Sequence, residues 1–458
     1  MKKLLKRTLS KVRRKIFSIT IEVDMKHPMV QFYSTLDWNH LIELAKNARE
    51  SNGKQNRGPI PHYRELIGAI IVRAVKSCSL RDAMDFIQYH GPSRLLCELA
   101  DSDWTPDFRT ISDFEITIGD NGLNAINEYF LDIARSLGFL DIKGLCGDTT
   151  AQEASIPYPT ELGLCHQFIS SVETAVKAFN GKLGESKKYF AKKAKAATII
   201  LKKSRFFAKT KEEKSKLLSE IHRCAKLVNK KIKLVLKTVS TRSINSLKGN
   251  QKRALSNINS LVPVFKKLSP QISHFEKTGQ VIKNKIISLY QEELRAIPRG
   301  KDGKKTEFGL KWLIGQVRGG YIFGRSVEGN LYEGDCAVEI LNDHKKIFGD
   351  VPKDFGYDRG GWSDRHLKKI EKIGVENIGV APKGKASWLV TKSKQKEIFS
   401  ERAQVEGKIG TLKMYGFNNP RSKTTKGMKR IGQMNIIRFN LGKLAKDMSK
   451  YSKISVGF

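Results

Sequence analysis

The sequence predicts an α/β protein with a mixed-sheet core, which a large basic helical segment interrupts and a mainly helical region precedes. Three observations lead to this fold class. Strand-like apolar runs occur near residue 140 and return after residue 306, where they alternate with helical patterns. Between them, residues 162–302 combine helix-forming residues with many lysines. Before residue 139 the apolar side chains follow helical spacing instead.

Residues 1–139 are predicted to form a mainly helical domain behind a basic amino-terminal arm. Residues 63–76 carry apolar side chains at helical spacing, and Ser79 with Asp82 is typical of a capping box that starts a second helix at 80–89. Two helices across a short turn fit a helix-turn-helix, but many helical pairs without any nucleic-acid role look the same. We expect this domain to contact DNA, and a recognition helix at 80–89 is one of two open interpretations.

The core, whose first part is predicted at 140–161, begins with a strand expected to end at an acidic residue. In residues 139–148 (FLDIKGLCGD) apolar side chains lead to Asp148, and Thr149 and Thr150 follow. Functional sites gather at strand ends, because side chains there emerge from a rigid sheet edge. The alternative is that Asp148 only caps a turn, and the local sequence does not separate the two interpretations.

Residues 162–302 are predicted to be an insertion of antiparallel helices, with Pro263, Pro270 and Pro298 marking helix boundaries. Residues 162–300 contain 31 Lys and Arg against 8 Asp and Glu, more than half of the net charge of +38. One interpretation is a basic wall that binds DNA phosphates. The lysines expected on that wall are Lys192, Lys193 and Lys195. The alternative is a helical hairpin that mediates dimerisation, with its lysines merely solvated.

The second part of the core is predicted at 303–446, followed by a tail at 447–458. Its expected elements are a hairpin of strands 307–316 and 321–327, a helix at 336–347 capped by Asp335, a strand at 354–358, a helix at 363–373, a strand at 378–381, and helices at 399–413 and 435–448. Together with the first strand, this order is similar to that of a ribonuclease-H-like core. The 354–358 strand also ends in an aspartate, Asp358, at a glycine-rich turn.

The helix at 399–413 (FSERAQVEGKIGTLK) places four notable side chains on one face. At about 100° per residue, Phe399, Arg402, Glu406 and Lys413 fall within an arc of roughly 60°. The simplest interpretation is a solvated helix in which Arg402 and Glu406 form an i,i+4 pair worth about 0.2–0.5 kcal/mol. The two aspartates upstream and the basic composition favour a functional face.

This spacing also resembles the Tyr-x2-Arg-x3-Glu-x6-Lys motif of bacterial insertion-sequence DDE transposases. Phe399 stands in the tyrosine position, so the chain lacks a phenolic hydroxyl there. The resemblance extends to residues 146–159 (CGDTTAQEASIPYP), to 356–362 (GYDRGGW) and to the tail through Asn440. It covers about half of the chain and leaves the insertion unexplained.

The resemblance implies that Asp148, Asp358 and Glu406 are the catalytic and metal-binding residues. Three converging carboxylates repel one another unless cations lie between them. Two Mg²⁺ ions about 3.5–4 Å apart, with Mn²⁺ as a substitute, would relieve that repulsion and bracket a scissile phosphate. The expected phosphate-binding side chains of the core are Arg402, Lys413, Arg359, Lys383 and Lys385.

Composition restricts the function further. Lys and Arg outnumber Asp and Glu by 84 to 46, so a polyanion is the expected partner. No apolar run reaches the roughly 18 residues of a membrane span, no signal peptide is recognisable, and the six cysteines form no C-x-x-C pair. We therefore expect neither zinc nor disulfides, and a reducing cytoplasm fits. The resemblance implies a bacterial, nucleoid-associated transposase that acts as a homodimer on double-stranded element ends and target DNA. The alternatives are a nuclease or resolvase without strand transfer and a catalytically inactive DNA-binding protein.

Overall fold

The computed structural model describes residues 23–53, 60–100, 102, 104–180, 184–237, 246–298, 306–329, 331–384, 386–422 and 424–455. The basic arm at 1–17 and Lys385 lie outside the described residues. The protein is mixed α/β, mostly helical with one mixed sheet. The chain forms two compact units. The helical unit comprises Met1–Gly144, Gln316–Phe323 and Gln433–Phe458, and the core unit comprises Leu145–Gly315 and Gly324–Gly432.

The amino-terminal part of the helical unit is built from helices, as predicted. They are α1 (Pro28–Ser34), α2 (Trp38–Ser51), α3 (Tyr63–Val75), α4 (Leu80–Tyr89), α5 (Gly91–Leu96) and α6 (Phe108–Ser136). The predicted capping box of α4 is confirmed. The backbone N–H of Asp82 donates to Ser79 Oγ at 3.2 Å, and that of Ser79 donates to Asp82 Oδ2 at 3.1 Å.

Helix α3 lies at the centre of this helical region, with a largely buried surface. The buried Arg64 donates from Nη1 to the carbonyl oxygen of Leu96 at 2.7 Å, and its guanidinium lies 3.1 Å from the centroid of the Trp38 ring. These contacts offset part of the cost of burying this cation, whose Nη2 atom has no hydrogen-bond partner.

Six strands form the sheet in the part of the chain that the structure describes. They are β1 (Asp141–Glu153), β2 (Arg295–Pro298), β3 (Thr306–Arg318), β4 (Ile322–Val327), β5 (Asp354–Tyr357) and β6 (Asn377–Val380). The order is β2-β3-β1-β5-β6, and β4 also pairs with β3. Strands β2 and β3 are antiparallel whereas β5 and β6 are parallel, so the sheet is mixed. The predicted hairpin is confirmed as β3 and β4.

Strand β1 is longer than predicted. It continues to Glu153, so the prediction that it ends at Asp148 is wrong, and this aspartate lies within the strand. The β-branched Thr149 and Thr150 favour extended backbone, and pairing next to β3 continues beyond them. The N–H of Ala154, just after the strand, still donates to the carbonyl oxygen of Phe308 at 2.8 Å.

The described residues of 162–302, the segment predicted to be an insertion, form helices around a shared hydrophobic core. They are α7 (Glu161–Val176), α8 (Lys187–Phe206), α9 (Lys211–Lys237) and α10 (Gly249–Thr278). The rings of Phe168 and Phe265 stack there at a centroid distance of 4.1 Å. Pro263 and Pro270 lie inside α10, so the predicted helix boundaries at these prolines are wrong. Each proline removes one helical hydrogen bond, but the buried Phe265 and its apolar neighbours hold the helix in place through packing.

The remaining helices lie in the second half of the sequence. They are α11 (Glu333–Phe348), α12 (Asp364–Ile373), α13 (Lys392–Met414) and α14 (Thr425–Ser455). Helix α13 contains the whole stretch predicted to be helical at 399–413. Among the residues that the structure describes, no helix is both long and apolar enough to cross a membrane.

Candidate active site

Two aspartates lie in or directly after neighbouring strands of the core unit. Asp148 is part of β1, and Asp358 follows directly after β5, the strand next to β1. The carboxylate of Asp148 accepts a hydrogen bond from the N–H of Thr149 at 2.7 Å. The Oδ1 atom of Asp358 is buried without a hydrogen-bond partner. A buried carboxylate oxygen without a partner costs free energy, which a donor or a cation would recover.

The surroundings of both aspartates disfavour their charged forms. Burial raises the pKa of Asp148 to about 6, and the charges of Asp358 and Glu333 act in the same direction. Burial is also the main cause that raises the pKa of Asp358, and the negative charge of Glu333 raises it further. The backbone N–H of Thr149 lowers the pKa of Asp148, and that of Gly360 lowers the pKa of Asp358. The guanidinium of Arg402 lowers both as well. Perturbed carboxylates of this kind are typical of functional sites, although structural networks also produce them.

Glu333 is the acidic residue of this cluster that sequence reasoning missed. It is the first residue of α11, and its carboxylate accepts from Lys311 Nζ at 2.8 Å and from the Tyr357 hydroxyl at 2.7 Å. The sequence predicted that this helix starts after Asp335, which is wrong, because the cap is Tyr332. The carboxylate of Asp335 instead pairs with side chains of helix α12. The available signal was an acidic side chain at the start of a helix that follows a hairpin.

Helix α13 brings Arg402 to the aspartates and leaves Glu406 further out. The side chain of Arg402 is 19% exposed, and that of Glu406 is 65% exposed. Arg402 Nη2 lies 3.4 Å from Glu406 Oε1, so the predicted i,i+4 pair is present. The Nε atom of Arg402 is buried without a hydrogen-bond partner. Glu406 is therefore joined to the aspartate cluster through Arg402, and its own carboxylate faces solvent.

The other predicted phosphate-binding residues of the core are dispersed. Arg359 is exposed in the short 3₁₀ turn after Asp358, and the exposed Lys383 places Nζ 3.5 Å from the carbonyl oxygen of Gly360 in the same turn. Lys413 is partly buried on α13. Two cations thus lie near the Asp358 turn, where a phosphate close to the aspartates would meet them.

The three insertion lysines all lie on α8. Lys192 and Lys195 are exposed, whereas Lys193 is partly buried, with Nζ 5.8 Å from the centroid of the Tyr189 ring. Two of the three are thus available to a polyanion.

The donor set at the aspartates fits a hard divalent cation in part. Carboxylate oxygens are the ligands that Mg²⁺ prefers. Asp148 and Asp358 supply such oxygens, and Oδ1 of Asp358 has no hydrogen-bond partner. Across the described ranges, no group of three or more His, Cys, Asp or Glu side chains is arranged to hold a metal ion. The two aspartates therefore qualify as ligands, while a third carboxylate ligand is not in place.

Comparison with known proteins adds one match. Residues 17–116 match the family model described as Transposase domain (DUF772). This match supports a transposase role and an enzyme acting on DNA. It ends before Asp148, so it does not reach the aspartate cluster. No curated protein and no solved structure matches the chain.

Proposed function

We propose that this protein is a DDE-type transposase that cleaves DNA at the ends of an insertion sequence and joins the freed 3′-OH to another phosphodiester. The observation that carries the proposal is the pair Asp148, in β1, and Asp358, directly after the neighbouring strand β5, with the charge of Arg402 lowering the pKa of both. The transposase-domain match and the Arg402, Glu406 and Lys413 spacing support it from two other parts of the chain.

The element order supports a ribonuclease-H-like core as part of this proposal. After β1 the chain enters the insertion and returns through β2 to the β3–β4 hairpin; helices α11, α12 and α13 then alternate with β5 and β6. This is the order that the sequence resemblance implies, with the insertion placed directly after the first strand.

In the proposed mechanism, Asp148, Asp358 and Glu406 would hold two Mg²⁺ ions, for which Mn²⁺ can substitute. Divalent cations bound there would stabilise the attacking and leaving oxygens of an in-line displacement at phosphorus. Arg402 would steady phosphate charge close to the aspartates. For Glu406 to join them, its pair with Arg402 has to open, and a DNA phosphate that takes over the guanidinium is the natural trigger.

Further cations would bind DNA phosphates around this site. We propose this role for Arg359, Lys383, Lys385 and Lys413 of the core and for the α8 lysines of the insertion. One contact supports a position of this segment near the aspartates: Lys283 Nζ, after α10, donates to the hydroxyl of Tyr332 at 2.7 Å. Tyr332 directly precedes Glu333, which supports a basic wall close to the proposed site. A homodimer on double-stranded element ends and target DNA completes the proposal.

The proposal is tested with Asp148→Asn, Asp358→Asn and Glu406→Gln in the full-length protein. Each is expected to abolish Mg²⁺-dependent cleavage of double-stranded DNA and to leave DNA binding within about twofold, because only the charge of one carboxylate is removed. Glu371→Gln, an exposed carboxylate of α12, is the matched control and should cleave normally. Loss of DNA binding in the aspartate variants, or undiminished cleavage, would contradict the proposal. Cleavage without joining would identify the nuclease alternative.

A further inference from the structure

The Glu333 carboxylate contacts the chain neighbour of each aspartate. Thr149 directly follows Asp148, and its Oγ1 lies 3.2 Å from both oxygens of Glu333. Tyr357 directly precedes Asp358, and its hydroxyl donates to Glu333 Oε2 at 2.7 Å. One side chain from α11 therefore joins β1 to β5 immediately beside the two aspartates.

Buried partners hold this carboxylate in place. Lys311 of β3 is 4% exposed, and its Nζ donates to Glu333 Oε1 at 2.8 Å and to the carbonyl oxygen of Leu331 at 2.7 Å. Hydrogen bonds between charged groups are stronger than neutral ones, and those in low-dielectric surroundings gain further. Because both oxygens of Glu333 are engaged with protein donors, this carboxylate is fixed, unlike the exposed one of Glu406.

We propose that Glu333 is a positioning residue that sets the separation of Asp148 and Asp358 for binding a divalent cation. This inference rests on the proposed function, because the cation is the one required there. Glu333 acts through Thr149 and Tyr357 and contributes a fixed negative charge near the cation, without being one of its ligands. Such supporting contacts determine how well carboxylates are preorganised for a metal.

A purely structural role would assign Glu333 only as the counter-ion of the buried Lys311. The two roles predict different results when Glu333 and Lys311 are replaced separately. If Glu333 positions the aspartates, Glu333→Gln weakens cation binding, whereas Lys311→Met leaves Glu333 charged and bonded to Thr149 and Tyr357. The added net negative charge then maintains or strengthens cation binding. If the pair is only structural, neither change affects cation affinity beyond its effect on folding.

The experiment is calorimetric titration of the full-length variants with Mn²⁺ alone at pH 7, with thermal unfolding measured in parallel without metal. We expect Glu333→Gln to raise the Mn²⁺ dissociation constant about 10- to 100-fold, as outer contacts of metal sites typically do. Lys311→Met should bind Mn²⁺ at least as tightly as the wild type. The Glu371→Gln control should not change. The inference would be overturned if Glu333→Gln bound Mn²⁺ as tightly as the wild type. It would also be overturned if Glu333→Gln and Lys311→Met weakened Mn²⁺ binding equally.

A milder variant keeps the test valid if Glu333→Gln does not fold. Tyr357→Phe removes one hydroxyl from the contact and is expected to weaken Mn²⁺ binding a few-fold, and an unchanged dissociation constant would overturn the inference. Asp148→Asn separates this inference from the proposed function. If Asp148→Asn loses Mn²⁺ binding but Glu333→Gln and Tyr357→Phe do not, only the positioning role fails. If Asp148→Asn binds Mn²⁺ normally, both fail.

Discussion

The partly buried carboxyl of Asp148 makes folding stability depend on pH in an unusual direction. Its pKa is about 6 in the folded protein, against 3.8 as the ordinary value. Between these values the folded state binds more protons than the unfolded state, so stability falls as pH rises from about 4 to about 6 and is level above that range. A charge that the proposed chemistry requires is thus a cost to the fold at neutral pH.

We therefore expect Asp148→Asn to stabilise the metal-free protein at pH 7. Removing the buried charge should raise the free energy of unfolding by on the order of 1–3 kcal/mol, with little gain at pH 4, where the wild-type carboxyl is protonated. Urea unfolding in EDTA at both pH values measures this. A variant less stable than the wild type at pH 7 would show that the contacts of Asp148 outweigh its desolvation.

Arg402 is expected to set the pH range in which both aspartates are ionised. Its guanidinium lowers the pKa of Asp148 and of Asp358, so Arg402→Gln should raise both values. Mn²⁺ binding, which needs the ionised forms, should then reach its half-maximal value at a higher pH than in the wild type. Calorimetric titrations between about pH 5 and 8 measure the shift. Arg365→Gln, an exposed arginine of α12, is the control, and an identical profile for Arg402→Gln would contradict the argument.

Part of the site could be predicted from single residues. Asp148, Asp358 and Arg402 stood out because acidic residues after apolar strand patterns and a helix-face pattern are local signals. Glu333 did not stand out, because its partners Lys311 and Tyr357 lie on strands β3 and β5. Only the folded chain brings these residues together. The metal-binding role of Glu406 stays a prediction.

Among the elements, β1 and β3 approach each other too closely for a side chain at one position. A Cβ atom added at Gly309 would lie 1.9 Å from the carbonyl oxygen of Gln152, a backbone atom that cannot move without disturbing the sheet. We expect Gly309→Ala to lower the free energy of unfolding by more than about 2 kcal/mol. Urea unfolding at pH 7 measures the change.

Helix α13 contains a glycine whose replacement by alanine is the matched comparison for Gly309→Ala. Gly407 is exposed within this helix and a Cβ there would contact nothing within 4 Å, so Gly407→Ala should raise the free energy of unfolding by about 0.5–1 kcal/mol. The same urea experiment applies. The opposite signs are the essential result; a stable Gly309→Ala variant would mean that β1 and β3 can separate without loss.

Local signals predicted elements well wherever local interactions decide the structure. The capping box at Ser79 and the hairpin of β3 and β4 are examples. The extension of β1 and the continuous helix through Pro263 and Pro270 were not predictable in this way, because pairing with a distant strand and packing in the insertion core override local preference.

At the scale of the whole molecule, the net charge of +38 predicts strongly salt-dependent DNA binding. Lysines and arginines that neutralise phosphates release counterions, so affinity should fall at least about 1,000-fold between roughly 50 and 200 mM salt. Fluorescence anisotropy with a labelled duplex measures the slope. A flat response would exclude binding led by phosphate contacts.

Charge reversal on α8 separates the two interpretations of the insertion. Replacing Lys192, Lys193 and Lys195 with glutamate should weaken DNA binding and reduce its salt dependence if the insertion forms a basic wall, because the phosphate contacts of the exposed Lys192 and Lys195 are lost. Light scattering of the same variant reports the oligomeric state. Unchanged DNA affinity together with loss of the dimer would instead identify the insertion as an assembly element.

The position of the insertion also has a consequence during protein synthesis. Strand β1 leaves the ribosome before all of α7–α10, whereas its partner β3 is made only afterwards. Until then both sides of β1 are unpaired, because β5, its other neighbour, is made later still, and unpaired strands can join other extended chains. The insertion can close its own core in the meantime, bringing the ends of the interrupted sheet together before β3 arrives. Folding of the nascent chain would then proceed from the middle outward, and translation pauses before β3 would influence the yield of native protein.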